Sequence, residues 1–280
     1  MQTILNKIIK GSRDKDISVD VFFKSSKQPK SIVIFSHGFK GFKDWGCWDI
    51  VAKHFAEAGF VFVKFNFSYN GTTIDQPSDF ADLEAFGNNN YTTELNDLGL
   101  VIDWVLSTEL LNDEIDKQQL NLLGHSRGGG ITILKAGEDN RVKKITTWAA
   151  VADLIQRMKD YNLNEWKEKG VLYSMNARTK QEMPLYYQLY EDTITNAPRL
   201  DIQKVTAQLS IPFLIIHGTN DEAVSVEDAK LLHSTCKHSE LFLIEGAGHT
   251  FGAKHPFDGK ELPIYADIVV NKTIEFFKTI

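Results

Sequence analysis

An α/β architecture, with a mostly parallel central sheet and helices on both faces, is predicted by three observations. Short, continuously apolar runs recur along the chain, as strands buried on both faces require. Segments of helical periodicity separate them, so the strands are joined by crossovers rather than by hairpins. A Gly124-His125-Ser126-Arg127-Gly128 string links one such run to one such helix through a one-residue turn.

The elements follow in order. Residues 3–9 and 17–24 flank a polar turn, and Ser18 to Phe22 alternates with period two, so an N-terminal antiparallel hairpin is expected. Ile32-Val33-Ile34-Phe35 is the first buried strand, ending in Ser36-His37-Gly38-Phe39-Lys40-Gly41. Ile50, Val51, Phe55 and Ala58 share one face of a helix over 48–58, which Gly59 closes. The run 60–67 is a second buried strand. Residues 68–93 are polar and rich in Gly and Asn, and read as a long surface excursion. Leu95, Leu98, Ile102 and Val105 mark a helix; strands at 120–123 and 145–150 bracket the serine turn and its helix. The sheet resumes at 212–218 and 240–244. Between them Ser225-Val226-Glu227-Asp228 reads as a capping box, and a helix over about 264–279 ends the chain.

The pattern breaks between about 153 and 209, where no convincing buried strand occurs. Tyr161, Trp166, Tyr186, Tyr187 and Tyr190 fall here among charges. The stretch is expected to form a small helical cap inserted in a single domain spanning 1–280. Its rings either roof a substrate pocket or anchor the cap's helices to the body.

Composition narrows function. A net charge of −6 and 24% charged residues give no basic footprint, which disfavours nucleic acid and anionic membranes as main partners, and neither is expected. Two cysteines, Cys47 and Cys236, are too few for a disulfide framework, and no His or Cys pair has the spacing of a metal site. The N-terminal ten residues lack the apolar core of a signal peptide, and no run approaches the length of a membrane span. A soluble cytoplasmic protein is expected.

Chemistry concentrates at three strand ends. A turn as tight as that at Ser126 forces strained backbone on the serine, and glycine is needed two residues before and after it. Serine is a weak nucleophile without a base, and that base needs an acid to fix its tautomer. Asp221 and His249 stand just after later strands, so a parallel sheet brings both to the same edge as Ser126. Asp153 is the alternative acid and His255 a rival base, in a loop expected at the surface. His37, His125 and His217 are expected to bond locally and shape their turns. Cys47 is expected to pack, and Lys40, Lys43 and Arg127 to be either solvated or attractive to an acidic substrate.

With the order Ser, Asp, His, the glycine-bracketed elbow, His37-Gly38-Phe39, His217-Gly218 and Gly248-His249, the chain resembles an α/β-hydrolase-fold serine hydrolase. It is similar to the dienelactone-hydrolase-like and cinnamoyl/feruloyl-esterase-like carboxylesterases. That resemblance implies an oxyanion hole made by the backbone N–H groups of Phe39 and Arg127, with Gly38, Gly124, His125 and Gly128 shaping the loops. The expected function is cleavage of a small carboxylic ester through an acyl-enzyme on Ser126, with His249 as base and Asp221 as orienting acid. No cofactor or metal is needed. Peptidase, thioesterase or acyltransferase chemistry on the same scaffold is the alternative, as is a ligand-binding protein with incidental turnover.

Overall fold

The computed structural model describes residues 1–26, 28–159 and 161–279. Strands β1 (Gln2–Lys10) and β2 (Asp16–Phe23) form the antiparallel hairpin that the alternation predicts. β3 (Lys30–Ser36) is followed by helix α1 (Trp48–Glu57), which buries Trp48, Val51, Ala52, Phe55 and Ala56 and ends at Gly59, whose φ is +98°. β4 (Val61–Phe65) leads into α2 (Leu83–Gly87) and α3 (Tyr91–Ser107). β5 (Ile115–His125), α4 (Arg127–Glu138) and β6 (Val142–Trp148) complete the first half.

The excursion between β4 and α3 is not the surface loop its composition suggests. Phe80 and Phe86 are buried there, stacked edge-on at 5.8 Å. Some of its polar residues bond one another, as when Asn66 donates to Thr72, and others bond outward, as Ser68 does in donating to Asp97.

The insertion carries helices α5 (Leu163–Lys169), α6 (Gln188–Thr195) and α7 (Ile202–Gln208). It also carries a two-stranded antiparallel hairpin that sequence reading omits, β7 (Val171–Met175) and β8 (Glu182–Tyr186). The chain then adds β9 (Phe213–Gly218), α8 (Val226–Thr235), β10 (Ser239–Ile244) and α9 (Ile264–Lys278). At α8 the expected capping box is half made. Ser225 accepts from the Glu227 N–H, whereas the Asp228 carboxylate turns away to accept from the Ala152 N–H.

The main sheet has the order β1-β2-β4-β3-β5-β6-β9-β10, parallel from β4 to β10. Alternate residues of β3 feed opposite cores, because successive strand side chains point to opposite faces. Ile32 and Ile34 join α3 and α4 on one face; Val33 and Phe35 join α1 and α9 on the other. From β3 the chain winds first toward β4, then returns past it to β5 and continues the other way to β6. That reversal puts a crevice outside the carboxyl ends of β3 and β5, where open α/β sheets hold ligands.

Beside this crevice lies a buried ion network. Lys43 and Lys64, 1% and 0% exposed, sit among Asp20, Asp44 and Asp49. Lys43 Nζ lies 2.7 Å from both Asp20 and Asp44, and Lys64 Nζ 3.0 Å from Asp20. Lys43 is therefore neither solvated nor turned to a substrate. The three carboxylates lie close enough together for a cation site, but the lysine ammonium groups stand among them. Despite burial, the carboxylates push the Lys64 ammonium above its ordinary value. Removing one partner from such a cluster leaves an uncompensated charge.

Candidate active site

The turn after β5 holds Ser126 at φ 57° and ψ −120°, a strained conformation for a residue with a side chain. Glycine at the flanking positions is a steric necessity. A Cβ on Gly124 would stand 2.3 Å from the Gly128 carbonyl oxygen, and one on Gly128 2.3 Å from that of Ser36. Hydrogen bonds fix the strained residue, its N–H donating to the Trp148 carbonyl at 2.9 Å and its own carbonyl accepting from the Gly129 N–H at 3.0 Å.

Asp221 and His249 meet at the same sheet edge, with His249 Nδ1 2.8 Å from Asp221 Oδ2. The Asp221 carboxylate is fully buried. Its other oxygen accepts from the N–H groups of Ala223 and Val224 at 2.8 and 2.9 Å. His217 supplies a further donor that sequence reading missed as a partner. Its Nε2 faces Val224 O at 3.0 Å and Asp221 Oδ2 at 3.2 Å, two acceptors, so it carries the proton. Burial opposes ionisation of Asp221, but the His217, His249 and Val224 donors outweigh it and hold the carboxyl well below its usual range.

His125 does more than shape its own turn. Its Nε2 lies 2.9 Å from the His249 carbonyl oxygen, 124 residues away, tying the serine turn to the His249 loop. Burial and the facing His249 push the His125 pKa down to about 3, so at neutral pH it is an uncharged donor. His37 bonds locally through Nδ1, to the Gly38 carbonyl at 2.9 Å, but its Nε2 also accepts from the Phe67 N–H at 3.4 Å, 30 residues away, and burial lowers its pKa to about 4.

The 37–41 loop closes over the serine. A Cβ on Gly38 would stand 2.9 Å from Ser126 Cβ, so only glycine lets the loop approach this closely. Among the described residues, neither the Phe39 nor the Arg127 backbone N–H donates a hydrogen bond, and no bond joins Ser126 Oγ to His249. Two cavities open at Ser126. One of about 180 Å³ is lined by Ser126, His249, Trp45 and Trp48; the other, of about 310 Å³, lies under the insertion between Tyr91, Tyr161 and Leu189.

Other expectations sort by this geometry. Of the five ring residues, only Tyr161 lines the larger cavity. Trp166 is fully buried and donates to the Leu185 carbonyl at 2.7 Å; Tyr187 and Tyr190 pack on it, and the Tyr186 hydroxyl donates to Glu84. These four anchor the insertion. Asp153 accepts from Gln156 and Gln203, away from His249. His255 is not a surface residue: half-buried between Phe42 and Trp45, it accepts from the Gly46 N–H. Cys47 packs as expected, and burial pushes its thiol up to about 11. No helix among the described residues is long and apolar enough to cross a membrane.

Sheet order, elbow and crossover geometry together make this an α/β-hydrolase fold. Residues 49–262 match the prolyl oligopeptidase family (Peptidase_S9), and the chain belongs to that family. It is 25% identical over 199 residues to an uncharacterized 31.7 kDa protein of the traX-finO intergenic region of Escherichia coli. That match covers 67% of this chain and 64% of the relative's length. Among solved structures, an esterase domain from Rhodothermus marinus superposes with a TM-score of 0.66 at 17% identity, over 99% of this chain and 98% of the other. Est1E from Butyrivibrio proteoclasticus with ferulic acid bound gives 0.68 at 18%, over 95% and 96%.

Proposed function

We propose that the protein is a serine hydrolase of small carboxylic esters. Ser126 Oγ attacks the carbonyl while His249 accepts its proton at Nε2, the nitrogen left free because Nδ1 faces Asp221. Asp221, kept ionised by its donors, fixes the imidazole tautomer and stabilises the imidazolium. The uncommitted N–H groups of Phe39 and Arg127 receive the developing oxyanion, where one fixed donor contributes about 3 to 4 kcal/mol. His249 then protonates the leaving alcohol and activates the water that releases the acid. The Ser126–His249 hydrogen bond forms as substrate enters, since such contacts tighten in the complex.

The observation that carries this reading is the strained serine at one sheet edge with the Asp221–His249 pair. Hydrolysis of p-nitrophenyl esters from acetate to long acyl chains, a feruloyl ester included, tests it. Short or aromatic acyl esters are expected to turn over, and a fluorophosphonate to label wild type but not Ser126→Ala. A folded protein inert to both probe and esters sinks the proposal. Membership in the prolyl oligopeptidase family favours a peptidase as the second reading, and a peptide amide series run in parallel decides between the two.

A further inference from the structure

The two cavities at Ser126 are not equivalent. In acyl transfer the histidine must reach the leaving-group oxygen to protonate it, so the alcohol departs on the histidine side. His249 lines the 180 Å³ cavity and not the 310 Å³ one. The larger cavity is thus the acyl site.

Its charge is unlike that of the protein. The chain carries a net −6, yet the described residues lining this cavity include Lys40, Arg127 and Arg157 and no Asp or Glu. Arg127 is held in place from several sides. Its guanidinium stacks on the Phe39 ring at 4.1 Å and the Tyr91 ring at 5.1 Å, and Nη1 makes one long 3.3 Å contact with Glu94. Among the described residues its Nε and Nη2 donate to nothing else. A stacked guanidinium with a free edge is pre-organised for a carboxylate, whose two oxygens match its paired N–H groups.

Lys40 reaches in from the loop over the serine. The insertion pins it, Nζ donating to Ser174 Oγ at 2.8 Å and the Met175 carbonyl at 2.6 Å. Burial and the nearby Arg127 charge both press its ammonium below its ordinary value. Two cations facing one pocket repel each other, and an entering anion relieves that repulsion. Val151, Leu154, Met158, Leu185 and Leu189 supply the rest of the wall, a surface for methylenes. At about 30 Å³ per water-sized group, the space holds roughly ten heavy atoms.

We infer that the acyl part of the substrate ends in a carboxylate, held by Arg127 and Lys40, so that the enzyme cleaves half-esters of short dicarboxylic acids. This rests on the serine-hydrolase reading above. Monomethyl glutarate and methyl glutaramate differ only in a carboxylate against a carboxamide, and the ratio of their kcat/KM values isolates that charge. Wild type is expected to prefer the half-ester by about tenfold or more, as a charge-assisted hydrogen bond gives, with the preference shrinking at high ionic strength. The ratio should fall toward one in Arg127→Gln and part of the way in Lys40→Met. Taken within each protein, it cancels any effect of the substitution on the Arg127 backbone donor. A wild-type ratio of one or less overturns the inference while leaving the esterase reading intact. If neither ester is cleaved, the fluorophosphonate and p-nitrophenyl ester tests above decide the esterase reading, and calorimetric titration with glutarate and glutaramide decides the pocket. Glutarate binding that Arg127→Gln abolishes upholds the anionic site, and absence of binding overturns it.

Discussion

Acid should unfold this protein partly through two histidines that burial keeps neutral. His125 and His37 have pKa values lowered to about 3 and about 4, against 6.5 for an exposed imidazole. Above pH 6.5 neither state binds the proton and stability is unaffected. As pH falls below 6.5 the unfolded chain takes up protons that the native state refuses, and stability is lost until the folded pKa values are reached. At pH 5 the deficit approaches 1.5 pH units per site, so each histidine costs about 2 kcal/mol relative to pH 7.5 and the pair about 4 kcal/mol. That is a large part of a typical 5 to 15 kcal/mol of folding stability. The assay is urea unfolding of wild type and His125→Gln at both pH values. Glutamine keeps a donor near the His249 carbonyl but does not titrate. Carboxylates contribute equally to both proteins and drop out of the comparison. Wild type should lose about 2 kcal/mol more than the variant between pH 7.5 and 5. Equal losses would show that His125 is protonated in the native state and would refute the argument.

Two further predictions concern the proposed machinery. Asp221→Asn should lower kcat by about 10⁴-fold with little change in KM, because the wrong histidine tautomer is then favoured; steady-state kinetics on a short-chain ester, with a thermal melt as a folding control, reads this directly. Gly128→Ala sets two effects against each other: alanine favours helix by about 1 kcal/mol, whereas its Cβ would lie 2.3 and 2.4 Å from the carbonyl oxygens of Ser36 and His37. Backbone on both sides cannot yield cheaply, so sterics should win by about 1 to 3 kcal/mol net, seen as a lower Tm together with lost activity; an unchanged or raised Tm would mean the turn is looser than the geometry indicates.

What was legible in the sequence was what depends on local pattern. Apolar runs such as Ile32 to Phe35 have few ways to be buried other than as strands in a covered sheet. The Gly124 and Gly128 bracket follows from the sterics of a single turn, and the strand-end placement of Asp221 and His249 follows from parallel topology. Contacts made across the chain were not legible. The His125 bond to the His249 carbonyl spans 124 residues, and nothing near either residue announces it. The His217 contact with Asp221 had a signal, a spacing of four across a strand-to-turn junction, but the same spacing is common without contact. The hairpin in the insertion was hidden because its strands are short, one carries Pro184, and β7 has no fully buried residue, so neither reads as a buried run. Tyrosine-rich composition showed that rings gather in the insertion; only packing shows that four of the five anchor it and Tyr161 faces the cavity.

The lysines among the aspartates bear on the N-terminal hairpin. Asp20 lies on β2, whereas Lys64 lies on β4 and Lys43 just beyond the loop over Ser126. Stripping the hairpin from this fold would thus do more than expose the edge of β4. It would leave two ammonium groups, both all but inaccessible to water, with one counter-charge fewer, next to the loop that carries Phe39. A hairpin at the edge of the sheet, remote from the chemistry, is in this way tied to it, and a truncation that reached Asp20 would disturb the site as well as bare β4.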